Sequence, residues 1–176
     1  MRHLERGGTY VRVVDPGWCD PLDASFSRRN GGRWNPPATF AALYLCRDVE
    51  TARANARRLL EGQPFTFDDL LPARLPALVE TTVPETRYVD AVSARGLASL
   101  DLPATYPFDE RGRVVGHERC QPIGSAAWAA GEPGIACRSA APSAPPGGEE
   151  LALFDRGVRL RRGRRQRFDR WYRGRS

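Results

Sequence analysis

The stretch from Gly31 to Leu60, GGRWNPPATFAALYLCRDVETARANARRLL, constrains this chain more than any other. Gly31-Gly32 lets the backbone bend and leaves room for a close approach. Arg33 follows with a planar fork of donors suited to phosphate or carboxylate. Asn35-Pro36-Pro37 cannot continue a helix and reads as a fixed loop. Leu43-Tyr44-Leu45 reads as a short strand, whose alternation sets Ala42, Tyr44 and Cys46 on one face and Leu43 and Leu45 on the other. Asp48 is a good N-cap with Glu50 in the first turn, and Val49, Ala52, Ala56, Leu59 and Leu60 repeat at helical spacing up to Gly62. Asn55 shares that stripe, so a polar side chain points inward and needs a partner or a ligand.

A chain of 176 residues suits one core rather than two. It has no apolar run of membrane length, and its first ten residues lack an apolar signal core, so a cytoplasmic location is the default expectation. Cys19, Cys46, Cys120 and Cys137 are scattered without a CxxC and read as free thiols. His117 and Cys120 have ligand-like spacing, but tetrahedral sites come as paired motifs, so no metal is expected. Every basic residue other than histidine is arginine. Arg156 to Ser176 carries ten arginines against Asp169, so the first 155 residues hold a net charge of −3 within the total of +6. The body is mildly acidic and the basic pI belongs to the tail.

Elsewhere, Tyr10–Val14 reads as a strand ended by Asp15-Pro16-Gly17, and Ser25–Asn30 as a polar loop. Leu78–Val83 and Arg87–Asp90 read as two strands separated by Pro84. A brief helix is expected around Ser93–Leu100, an Ala-rich helix over Gln121–Ala130, and strands at Gly134–Ser139 and Leu151–Phe154. Ile135, Cys137 and Ser139 share a face.

The GGRWN block, the proline loop, the strand with Tyr44, the following helix and the later "GI" strand with Ser139 resemble the RES domain, the toxin half of a bacterial toxin–antitoxin family. The likeness runs from about Tyr10 to Asp155. It implies an α+β fold similar to ADP-ribosyltransferases, with a mixed, mostly antiparallel sheet and short flanking helices. It also implies an NAD-degrading enzyme, a glycohydrolase or phosphorylase releasing nicotinamide, held inactive by a helix-turn-helix antitoxin. Arg33, Tyr44 and Ser139 match the family's functional residues, Arg12 matches an arginine of its first strand, and Gln121 sits where it often has glutamine. The family glutamate falls eleven residues after the tyrosine, where this chain has Asn55.

The chemistry sets matching demands. NAD as substrate brings two phosphates, which call for fixed cations such as Arg33 and Arg12. Its nicotinamide calls for an aromatic wall, Tyr44 or Trp34. Breaking the ribosyl bond builds oxocarbenium-like charge that a carboxylate stabilises. Asn55 carries no charge; Glu118, Glu149 and Glu150 are the alternatives, and Asn55→Glu is expected to be accommodated. Ser139 has no His-Asp partners in view and reads as a ligand-binding hydroxyl. No cofactor beyond NAD as substrate is expected.

The runner-up is a RES-fold protein with little or no catalysis that binds a nucleotide or a partner. The tail 156–176 reads as a flexible extension of a 1–155 domain, or as a nucleic-acid contact in which arginines interleave with Phe168, Trp171 and Tyr172.

Overall fold

The computed structural model describes residues 1–156 and 160–174. The fold is α+β. Six strands, β1 (His3–Val14), β2 (Ala42–Cys46), β3 (Ala77–Ala91), β4 (Gly134–Arg138), β5 (Glu149–Phe154) and β6 (Arg161–Gln166), form one sheet in the order β1-β2-β5-β4-β3-β6. Only β3 and β4 run parallel. The long β1–β3 pairing closes the first five strands into a ring. Tyr10, Leu43, Leu45, Val83, Tyr88, Ala136, Leu151 and Leu153 come from all five and fill its interior. The Leu43/Leu45 face expected from alternation is therefore the inward one, and Tyr44 faces out.

The strand β3 is a single element where two were expected. Proline removes a ladder donor, yet Pro84 is tolerated because β1 bulges between Arg6 and Gly8 opposite it. Ser25–Asn30, expected as a loop, is helix α1. Helix α2 (Val49–Arg58) begins where Asp48 predicts, with Asp48 Oδ1 accepting from the Thr51 amide at 2.7 Å. Helix α3 spans Ala94–Ser99 under a Ser93 cap, and α4 spans His117–Ala129. No helix among the described residues is long and apolar enough to cross a membrane.

The basic segment departs from the expected flexible tail. Its described part forms β6, antiparallel to β3, and then helix α5 (Phe168–Trp171). Phe168 and Trp171 are buried in one cluster with Ala52, Ala56, Phe67 and Leu78, and the Trp171 indole donates to the Pro76 carbonyl. Burying two large aromatics outweighs the cost of ordering an arginine-rich strand. Those rings are consequently not free to stack on bases. Arg161 and Arg162 lie exposed on the outer strand, where positive charge also discourages edge-to-edge pairing. Residues 157–159 and 175–176 of that segment lie outside the described residues.

Candidate functional site

The GGRWN loop is held from three sides. The Tyr44 hydroxyl accepts from the Trp34 amide and donates to Asn35 Oδ1, both at 2.9 Å. Asn35 donates to the Ser27 and Phe40 carbonyls. Gln121 on α4 donates to the Gly32 carbonyl at 3.0 Å. Two glycines allow the packing: a Cβ on Gly32 would stand 2.5 Å from the Tyr44 hydroxyl, and one on Gly124 would stand 1.6 Å from the Trp34 carbonyl. Helix α4 thus rests directly on the loop backbone.

Above this loop lies a cleft of about 290 Å³, whose lining includes Arg33, Tyr44, Asn55, Arg58, His117 and Glu150. A second hollow of about 220 Å³ shares Arg12, Tyr44, Asn55 and Glu150 with it. The two compartments therefore meet at the carboxylate.

Glu150 holds its place through register. It lies between Cys46 of β2 and Cys137 of β4, on the outward face with Tyr44. The preceding residue, Glu149, points the other way and makes a two-pronged ion pair with Arg6, at 2.5 and 2.8 Å. Oε1 of Glu150 accepts twice, from Ser139 Oγ at 2.5 Å and from Asn55 Nδ2 at 2.8 Å. Oε2 has no protein donor among the described residues. Burial pushes the neighbouring thiols of Cys46 and Cys137 and the Tyr44 phenol up, so all three stay neutral around the carboxylate.

The cations divide into two kinds. Arg12 donates to the Pro21 and Asp23 carbonyls and stacks over Trp18, and burial lowers its pKa to about 10, still charged at neutral pH. Arg138 is bound to the carbonyls of Val92, Ala104 and Tyr106. Arg33 donates to the Val115 carbonyl and, like Arg58, forms no ion pair among the described residues. Partial burial, Arg33 and Arg58 together lower the pKa of His117, which favours its neutral form.

The expected site residues thus fall into groups. Arg33, Tyr44 and Asn55 reach the cleft, as does Arg12 with its guanidinium engaged. Ser139 lies buried behind it and gives its hydroxyl to Glu150 rather than to an open ligand position. The Trp34 indole is fully buried, donates to Cys137 Sγ at 3.3 Å and packs near Tyr106, so it supports the floor and offers no open aromatic wall. Gln121 positions the loop. Arg58 and His117 were missed as site residues: Arg58 reads as an ordinary basic helix end, and His117 drew notice only as half of an HxxC. No group of three or more His, Cys, Asp or Glu that could hold a metal occurs among the described residues.

An arginine-lined cleft with a tyrosine-braced loop and one held carboxylate, set on an α+β ring, is the candidate site. The chain belongs to the RES domain family, whose model matches residues 9–173. It is similar to the NAD(+) phosphorylase MbcT of Mycobacterium bovis and of Mycobacterium tuberculosis, each 32% identical over 118 residues. That alignment takes in 62% of this chain and 55% of the relative, so the chain spans about half the length of the curated relatives it matches. A crystal structure of the M. tuberculosis MbcT-MbcA toxin-antitoxin complex shares the fold, with a TM-score of 0.73 at 22% identity, over 94% of this chain and 86% of that one.

Proposed function

We propose that the cleft binds NAD and cleaves the bond between its nicotinamide ring and ribose, with inorganic phosphate as the acceptor. The C1′–N bond breaks with its electron pair going to the ring nitrogen, which leaves as neutral nicotinamide. A phosphate oxygen forms the new bond to C1′. The observation that carries this reading is the convergence of Arg33, Tyr44 and Asn55 with the unpaired Arg58 in one divided cleft. The relative named NAD(+) phosphorylase supports the same chemistry. The toxin–antitoxin complex with this fold supports an antitoxin partner, which the resemblance makes a helix-turn-helix protein.

The test is to incubate purified protein with NAD, with and without inorganic phosphate, and to follow nicotinamide and phosphorylated ADP-ribose. Release that depends on phosphate is expected. Release without phosphate makes water the acceptor, and no release in either case removes the enzymatic reading.

The exposed Arg161 and Arg162 on β6 favour a second, narrower reading, phosphate-backbone contact with nucleic acid. It predicts binding with a steep salt dependence, lost in Arg161→Ala/Arg162→Ala. Binding insensitive to salt rejects it.

A further inference from the structure

We infer that Glu150 is the catalytic carboxylate of this cleft, and that Asn55 and Ser139 are its positioning residues. The inference rests on the cleavage proposed above and assigns the group that stabilises it.

Three observations carry it. First, Glu150 is the only carboxylate among the residues lining either compartment, and it stands where the two meet. Second, its side chain is held by one oxygen only. Both donors, from α2 and from the residue after β4, converge on Oε1. A carboxylate with two donors on one oxygen is fixed in position, while its second oxygen stays available. Third, no cation neutralises it, since Glu150 forms no ion pair among the described residues. Its neighbour Glu149, by contrast, is neutralised by Arg6.

The chemistry fits that arrangement. As the C1′–N bond lengthens, positive charge moves onto the ribose ring. A fixed negative oxygen at the junction of the compartments stabilises that charge more than it stabilises the substrate. The donors cost nothing at the moment of reaction because the fold has already set them. Asn55 thereby has a purpose without carrying charge. It is the amide that aims the glutamate.

Glu150→Gln keeps Oε1 as an acceptor and removes only the charge. Nicotinamide release at saturating NAD is expected to fall roughly 10²–10³-fold, with KM and melting temperature little changed. Asn55→Ala and Ser139→Ala each remove one donor to Oε1, so kcat falls with KM little changed, and either substitution costs far less when added to Glu150→Gln, where no charge is left to aim. A merely structural role would lower stability and cost the same factor in the wild-type and Glu150→Gln backgrounds. If the wild type releases nicotinamide and Glu150→Gln does so within threefold, the assignment of Glu150 falls while the proposed cleavage stands. If the wild type releases none, both fall.

Discussion

Asn55 Nδ2 lies 2.8 Å from Oε1 of Glu150, tying helix α2 to strand β5 across 95 residues of sequence. That contact turns a missing charge into a relocated one. Position 55 supplies a neutral donor, and the carboxylate comes from the neighbouring strand. The expectation that Asn55→Glu would be accommodated does not survive this geometry, because a second carboxylate would sit at hydrogen-bond distance from the first.

Anion affinity is expected to depend on Arg58 more cleanly than on Arg33. Arg58 has no protein partner among the described residues, so Arg58→Ala should weaken NAD binding by about 1.5–3 kcal/mol if it contacts a phosphate, with no loss of melting temperature. Arg33→Ala should cost similar affinity and also lower stability by about 1 kcal/mol, because it frees the Val115 carbonyl. Calorimetric titration with NAD beside thermal melts separates the two. Unchanged affinity in both variants would place the dinucleotide phosphates elsewhere.

The lowered pKa of His117 gives a pH signature. Below its ordinary value of 6.5 the unfolded chain takes up this proton before the folded chain does. Its effect on stability is therefore absent above pH 6.5 and grows unfavourable as pH falls from 6.5 toward the folded-state value. A His117→Gln variant should lose less stability than the wild type over that window, measured by denaturant midpoints. A phosphate bound beside Arg33 and Arg58 should raise the His117 pKa, visible in the proton spectrum of a chain with two histidines. A titration unmoved by phosphate would mean that the anion does not reach it.

Removal of the basic segment should damage the fold rather than trim it. Trp171→Ala empties a buried site between α2 and β3 and should cost about 3–5 kcal/mol. Truncation after Asp155 should be worse, because it also strips β6 from β3. A truncated chain melting like the full one would show that β6 and α5 contribute nothing.

Much of the site was legible from local rules. Asp48 before an apolar stripe marks α2, period-2 alternation sets Tyr44 opposite Leu43 and Leu45, and Gly31-Gly32 marks the close approach that the Tyr44 hydroxyl makes. Glu150 was visible only as one of three alternatives. Glu149 and Glu150 are adjacent, and alternation alone cannot say which faces the cleft until the register of β5 against β2 and β4 is known. The same register decides that the Ser139 hydroxyl donates to Glu150. Pro84 hid the continuity of β3, because the bulge that tolerates it lies seventy-odd residues earlier, near Gly7. The tail misled because arginine content outweighed three aromatics, two of which decide its packing.

Exchange of the two partners tests the central claim most directly. Nicotinamide release is measured for wild type, Asn55→Glu, Glu150→Asn and the double variant Asn55→Glu/Glu150→Asn, each checked for folding. The single variants should each lose on the order of 10²-fold, one by crowding two carboxylates together and the other by removing the only one. The double variant restores one amide against one carboxylate across the same contact and should recover a large part of the loss, giving a strongly favourable coupling between positions 55 and 150. Release by Asn55→Glu that exceeds the wild type would contradict the account, since it would show a site lacking its carboxylate and a Glu150 that does not supply it.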